Sequence, residues 1–162
     1  MQLIDCFERH IHNNFMELRP MSEWLAKACA DLAMTDELVR DLDLCANEAI
    51  TNIISYAYKD VDSHQIDIRL ELKEQKLMLT IQDDGIAFDP FNANAINLDS
   101  YAKIGDITIG GLGIKLIQSL ANECLYHRSN NKNIISLGFY LCQTSADLIP
   151  GENSPFLTSC NY

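Results

Sequence analysis

Apolar residues recur every three or four positions through residues 35–58, with polar residues between them. The apolar positions are Leu38, Leu42, Cys45, Ala49 and Ile53. This spacing is typical of a helix that buries one face. Thr35 occupies the position of an N-cap, and acidic residues follow it in the first turn. The pattern predicts a long helix over 35–58.

A shorter helical pattern precedes this one, over residues 21–34, with Ser22 as the expected N-cap. Its apolar positions are Trp24, Leu25, Ala28, Cys29 and Leu32. Before it, residues 3–7 and 14–18 weakly favour one or two short strands, and we expect Pro20 to end that region.

Strand patterns follow the long helix. Apolar and polar residues alternate over 64–73 and again at Leu77, Leu79 and Ile81. The two runs predict an antiparallel hairpin that points toward Asp83.

The remaining elements are a third helix over 110–121 and two strands, 123–128 and 133–141, around a turn at 130–132. Residues 89–109 show neither the helical nor the strand periodicity, and the stretch is longer than a passive connection usually is. We interpret that stretch as a mobile lid.

The chain is acidic, with 23 Asp and Glu against 12 Lys and Arg and a formal net charge of −11. Such a charge repels nucleic-acid phosphates and anionic lipids, so we expect no direct contact with nucleic acid or membrane, and a protein partner instead. A bound triphosphate would need a metal ion, helix dipoles or backbone N–H groups to hold it.

Length and cysteine placement limit the organisation further. No apolar run approaches the roughly 20 residues that cross a bilayer, and the first residues lack the features of a signal peptide, which predicts a cytoplasmic protein. The six cysteines have no metal-binding spacing, so we expect most of them to be buried as small apolar residues. The 162 residues suit one domain, which we place at 1–142 before a loosely held tail at 143–162.

Glu48 and Asn52 stand four residues apart in the long helix, which places them on one face. A carboxylate and an amide oxygen so placed suit Mg²⁺, with Asn52 as a direct ligand and Glu48 free to accept a proton from water or a hydroxyl group. Taken alone, such a pair is more often a solvated helix surface.

Asp83 and Gly85 lie at the end of a predicted strand, in the stretch Asp-Asp-Gly-Ile-Ala at 83–87. The Asp83 carboxylate can accept a hydrogen bond from an adenine amino group, while Gly85 lets the backbone approach the ring. The alternative is an ordinary Asp-Gly turn.

Gly110, Gly111, Leu112 and Gly113 lead into the third helix, where backbone N–H groups and the helix dipole can bind phosphate, and Lys115 adds a cation. The stretch is neither a Walker sequence nor a Rossmann fingerprint. A flexible hinge before an amphipathic helix is the alternative.

In this order, the three motifs resemble the asparagine helix, the D-x-G box and the G-x-G box of the GHKL ATPase superfamily. Residues 48–52, 83–90 and 110–114 are similar to the versions in anti-sigma-factor serine kinases, and the resemblance covers roughly 21–141. Ala87 replaces a glycine that the family often has, and we expect it to stiffen the turn beside the adenine pocket.

The resemblance implies the Bergerat ATP-binding fold, an α/β two-layer sandwich with a mixed, mostly antiparallel sheet and helices on one face. It implies ATP and Mg²⁺ as cofactors, with Glu48 as general base and Asn52 as metal ligand. It also implies a binding set for adenine and the phosphates, namely Asp83, Gly85, Ala87, Gly110, Gly111, Leu112, Gly113 and Lys115.

A kinase of this kind phosphorylates a small anti-anti-sigma antagonist and thereby regulates a sigma factor. Members of the family commonly dimerise, so the resemblance makes a homodimer one possible state of this chain. The alternative is an ATP-dependent switch that grips or releases a partner without phosphate transfer. We do not expect a sensor histidine kinase, because no phosphoacceptor helical hairpin surrounds any of the histidines His10, His12, His64 and His127.

Overall fold

The computed structural model describes residues 5–92 and 109–141. In chain order the elements are β1 (Cys6–His12), a 3₁₀ turn (Phe15–Glu17), α1 (Leu18–Asp31), α2 (Asp36–Tyr56), β2 (Gln65–Lys73), β3 (Lys76–Asp83), α3 (Ile109–Leu120), β4 (Glu123–Ser129) and β5 (Lys132–Tyr140). Most of the predicted lid and the whole predicted tail lie outside the described residues.

The five strands form one sheet in the order β1-β2-β3-β5-β4, and every neighbouring pair is antiparallel. The expected hairpin of β2 and β3 is confirmed, and so is that of β4 and β5. The expected two-layer α/β fold with a mostly antiparallel sheet is confirmed, and no parallel pair occurs among the described strands. For β2–β3 and β4–β5 the antiparallel direction follows from their short hairpin connections.

The sheet and the helices make two layers with a single core between them. In β3 the buried positions alternate with half-buried ones, as expected for a strand with one covered face. The fully buried large side chains of the core include Met21, Leu25, Leu42, Ile50, Ile66, Ile68, Leu70, Leu77, Leu79, Ile81 and Phe139. The core therefore joins α1 and α2 to the central strands.

The long helix α2 confirms the prediction from its periodicity. The Thr35 side chain accepts a hydrogen bond from the backbone N–H of Leu38 at 3.3 Å, as an N-cap does. The helix ends at Tyr56, two residues before the predicted end.

The N-terminal predictions are partly wrong. The expected strand at 14–18 is a 3₁₀ turn that runs into α1, which begins at Leu18 rather than at 21. Pro20 lies in the first turn of α1, where proline is tolerated because those N–H groups lack helical acceptors anyway. Ser22 is inside the helix, and its hydroxyl accepts a hydrogen bond from the Asn47 amide at 3.0 Å rather than capping the helix.

The turn between β4 and β5 is confirmed. Asn130 and Asn131 have φ of 51° and 61°. Asparagine tolerates this left-handed conformation better than most residues do, and a two-residue hairpin turn of this type requires it twice.

Four of the six cysteines lie in the described residues, and all four are free thiols. Cys29 and Cys45 are buried as expected, and burial raises the pKa of the Cys45 thiol to about 12. Cys6, on edge strand β1, is exposed, and Cys124 is half-buried. No helix in the described part of the chain is long and apolar enough to cross a membrane.

Candidate functional site

The Glu48 carboxylate lies against Gly113, and this contact brings the first and third sequence motifs together. A Cβ at Gly113 would fall within 3.2 Å of the Glu48 carboxyl carbon and closer still to one of its oxygens. Gly113 is buried. The glycine therefore makes room for the carboxylate between α2 and α3.

Gly85 makes a similar close approach to the end of α2. A Cβ at Gly85 would lie 2.5 Å from the Ala57 Cβ and 2.7 Å from the Ala57 carbonyl oxygen. The next residue, Ile86, donates its backbone N–H to the same carbonyl at 2.9 Å. The D-x-G box is thus fixed on the C-terminal end of α2.

Both glycine motifs therefore contact the same helix, α2. At about 1.5 Å per residue, the contacts at Glu48 and Ala57 are about 13 Å apart along the α2 axis. Asn52 lies between them, half-buried. Neither Glu48 nor Asn52 makes a side-chain hydrogen bond or ion pair with any residue that the structure describes. Within the part of the chain that the structure describes, their oxygens are therefore available to a ligand.

Asp83 is a buried carboxylate at the end of β3, with only 3% of its surface exposed. Its Oδ1 accepts hydrogen bonds from the Gly85 N–H at 2.8 Å and from the Asn133 amide at 2.9 Å. Burial raises the Asp83 pKa, while these two hydrogen bonds oppose the rise. Both bonds end on Oδ1, which leaves Oδ2 without a partner among the described residues.

Sequence reasoning missed the residues behind Asp83. Asn133 is 4% exposed and lies directly opposite Asp83 in the β3–β5 pairing. Its side-chain oxygen accepts from the Arg128 guanidinium at 2.7 Å and from the Tyr126 hydroxyl at 2.9 Å. The sequence did hold a signal for Asn133: this residue continues the inward-facing row of β5, and the other side chains of that row are apolar.

The other predicted residues lie around these contacts. Ala87 is exposed and is not among the described non-glycine residues with positive φ, so its backbone carries no strain that a glycine would relieve. Gly110, Gly111 and Leu112 lie in the first turn of α3, inside the helix rather than before it. Leu112 is 75% exposed, and Lys115 is also exposed.

A model of the histidine kinase-like ATPase domain matches residues 12–139, which is most of the chain. The chain belongs to this family. The predicted membership of the GHKL superfamily is therefore confirmed.

Curated relatives of the chain are named serine-protein kinases. The serine-protein kinase RsbW of Bacillus subtilis is 28% identical over 102 residues, which are 61% of this chain and 63% of that protein. RsbW of Bacillus velezensis is 27% identical over 120 residues, 72% of this chain and 74% of that protein. RsbW of Staphylococcus aureus is 31% identical over 100 residues, 59% and 62%. The matched region thus spans less than two thirds of the Bacillus subtilis and Staphylococcus aureus relatives.

Solved structures confirm the fold class. The RsbU and RsbW domains of a Mycobacterium tuberculosis protein match with a TM-score of 0.60 and 14% identity, over 85% of this chain and 33% of that one. The histidine kinase domain of an Erythrobacter litoralis blue-light activated kinase matches with a TM-score of 0.51 and 16% identity, over 75% and 61%. At such identities the likeness shows the fold alone.

The site residues fit the nucleotide and metal that an ATPase family implies. Among the described residues nothing donates to the side-chain oxygens of Glu48 and Asn52 or to Oδ2 of Asp83, so these atoms offer acceptors beside α2 and near its C-terminal end. No group of three or more His, Cys, Asp or Glu within 5–92 and 109–141 is placed to hold a metal. A magnesium ion would therefore depend on phosphate oxygens as well as on Asn52, as Mg²⁺ commonly does at nucleotide sites.

His64 links the D-x-G box to the loop after α2. Its ring stacks on Tyr58 with centroids 4.1 Å apart. Nε2 lies 2.7 Å from an Asp60 oxygen, and Nδ1 lies 3.2 Å from an Asp84 oxygen. Only the doubly protonated ring donates from both nitrogens. The hydrogen bond to Asp60, with the negative charges of Asp60 and Asp84, raises the His64 pKa above its ordinary value.

The two glycine contacts predict unequal responses to an added methyl group. We expect Gly85→Ala to lower the free energy of unfolding by about 1–3 kcal/mol, because the methyl meets the backbone of Ala57. Gly113→Ala meets only the movable end of Glu48 and gains up to about 1 kcal/mol of helix propensity, so its stability should stay near the parent's. Urea unfolding of both variants measures the difference, and equal losses would contradict the contacts described.

The His64 bonds predict a pH-dependent stability. Because the folded-state pKa is raised above 6.5, the contribution is fully present below pH 6.5 and is lost as the pH rises through the raised value. His64→Phe keeps a ring on Tyr58 but cannot be protonated. We expect the urea midpoint of the parent to fall over that window relative to this variant. His127→Phe, at an exposed position on β4, is the control and should leave the pH dependence as it is in the parent.

Proposed function

We propose that this chain is an ATP-dependent protein serine kinase of the anti-sigma-factor type. Its substrate would be a serine of a small anti-anti-sigma antagonist, and the outcome would be the regulation of a sigma factor. The proposal is supported by the curated relatives, which are named serine-protein kinases.

One observation carries it: α2 contacts the D-x-G box at its C-terminal end and the G-x-G box at Glu48. A nucleotide that lies along α2 would therefore meet an adenine-binding group at one end and a phosphate-binding group at the other.

At the adenine end, Asp83 would accept a hydrogen bond from the 6-amino group through its open Oδ2. An ionised carboxylate only accepts hydrogen bonds, so it favours an amino group over a carbonyl oxygen at that position. Gly85 would lie beside the ring, and Ala87 would lie next to it on the same turn.

At the phosphate end, the first turn of α3 would present backbone N–H groups. Those of Gly110, Gly111 and Leu112 are the ones that phosphate oxygens would meet, with the α3 dipole and the exposed Lys115 adding positive potential. Gly113 would keep Glu48 close to these groups. This local positive potential would offset the overall charge of −11.

Asn52 would hold Mg²⁺, which when bound neutralises charge on the phosphates. Glu48 would accept the proton of the substrate serine hydroxyl as the serine oxygen bonds to the γ-phosphorus. The bond between the γ-phosphorus and the β-phosphate oxygen would break at the same time, and ADP would leave. Because phosphoryl transfer depends on positioning and charge stabilisation, a carboxylate held against Gly113 suits this task.

The surface beside the two boxes would receive the partner protein. Ile86 and Phe88 are 43% and 41% exposed, and Leu112 is 75% exposed. Apolar side chains of this kind commonly take part in protein contacts. The acidity of the chain favours a protein partner over nucleic acid.

ATP binding is the first consequence to test. We expect Mg²⁺–ATP to bind with a micromolar Kd and to stabilise the fold by about 2.7 kcal/mol at a hundredfold excess over Kd. Isothermal calorimetry and thermal unfolding measure both quantities. Absence of heat and of any thermal shift at millimolar ATP would reject the proposed function.

The second test concerns Glu48. Glu48→Gln keeps the size of the side chain next to Gly113 but removes the proton acceptor. We expect ATP affinity to stay near that of the parent while the transfer rate falls by about 10²–10⁴-fold. The assay measures transfer of labelled phosphate to the antagonist that co-purifies with the chain or is encoded beside it.

Asp41→Asn is the matched control, because it neutralises another carboxylate of α2 two turns earlier, and it should transfer phosphate at the parent rate. Undiminished transfer by Glu48→Gln would reject the base assignment. A parent that transfers nothing, while ATP still changes its affinity for the antagonist, would favour a non-catalytic ATP-dependent switch.

A further inference from the structure

Asn133 is fixed in one orientation by four hydrogen bonds. Its amide nitrogen donates to Asp83 Oδ1 and to the Ile86 carbonyl oxygen, both at 2.9 Å. Its oxygen accepts from Tyr126 and Arg128. The donor end faces two acceptors and the acceptor end faces two donors, so a flipped amide would lose all four bonds.

Arg128 supports this arrangement from the surface. Its Nη1 lies 2.7 Å from the Asn133 oxygen and 3.1 Å from the Gly85 carbonyl oxygen. Asn133 and Arg128 together therefore bind the carbonyl groups of two consecutive residues, Gly85 and Ile86. These are the backbone groups that follow Asp83 in the D-x-G box.

The orientation of Asn133 decides which oxygen of Asp83 is left to a ligand. Oδ1 is taken by Asn133 and by the Gly85 N–H, so Oδ2 is the remaining acceptor. Burial opposes the charge of Asp83, and the hydrogen bond from Asn133 opposes that effect of burial. Without Asn133, the carboxyl would more readily hold a proton and could then donate to a purine carbonyl oxygen.

We propose that Asn133, supported by Arg128, is a specificity-determining residue that acts through Asp83 to select a 6-amino purine over a 6-oxo purine. The inference rests on the proposed nucleotide-binding function. Asn133 would not touch the ring, so it is a positioning residue.

The test compares ATP with ITP, which differ at the 6-position of the purine. Asn133→Asp keeps the size of the side chain and the bonds from Tyr126 and Arg128, but loses both donated bonds. We expect its ATP affinity to fall about 10-fold or more, which is the usual effect of losing a hydrogen bond to a charged group. ITP affinity should change much less, so the ratio of the two dissociation constants should approach one.

Asn122→Asp is the matched control. It makes the same substitution and the same charge change at the other end of the β4–β5 hairpin, where the Asn122 oxygen accepts from the Tyr140 N–H. We expect it to keep the parent's ATP to ITP ratio. Arg128→Met is a second variant at an exposed position, and it should reduce the ratio in the same direction even if Asn133→Asp does not fold.

A measurement without nucleotide distinguishes the proposed action of Asn133 on Asp83 from a purely structural role of Asn133 in the β4–β5 hairpin. The Asp83 carboxyl, followed by carbon NMR, should titrate at higher pH in Asn133→Asp and Arg128→Met than in the parent and in Asn122→Asp. Folded variants that keep both the parent's ratio and the parent's Asp83 titration would overturn this inference alone. A parent that binds neither ATP nor ITP would overturn the proposed function, and the purine selection with it.

Discussion

The pairing of β3 with β5 is the constraint on which the candidate site depends. In β3 the inward-facing row runs from Leu77 to Ile81 and ends at Asp83, and each residue of this row has a partner in β5. Because side chains alternate across a strand, a shift of one residue in this register would turn Asp83 or Asn133 to the other face. The same ladder that builds the apolar core thus places a carboxylate against an amide where the core ends.

The helix α2 turns this local arrangement into an extended site. Its buried face packs on the sheet through residues such as Leu42 and Ile50, which fixes the helix relative to β3. Two glycines then let other segments approach it closely, Gly85 at Ala57 and Gly113 at Glu48. A side chain at Gly85 would push its segment away from Ala57, and one at Gly113 would displace the Glu48 carboxylate, so both glycines serve packing. These two contacts bring the D-x-G box and the G-x-G box against the helix that carries Glu48 and Asn52.

Predictions from the sequence succeeded where a pattern was long and local. The α2 helix and the hairpin of β2 and β3 follow from periodicity over many residues. The N-terminal prediction failed because residues 14–18 are too few to show a period, and because Pro20 was interpreted as a boundary although the first turn of a helix accepts proline. The three motifs gave the family, while the roles of Glu48, Asn52 and the glycine box stay proposals.

By itself, the sequence determined the order of the helices and hairpins and the identity of the motif residues, because periodicity, caps and turn residues act over short distances along the chain. Only the tertiary structure decided that Asn133 lies against Asp83, fifty residues away, and which oxygen of Asp83 stays open. It also decided that Gly113 meets Glu48 and that His64 connects Asp60 to Asp84. The physical reason is that these contacts depend on strand register and helix packing between distant segments, and no local spacing encodes either.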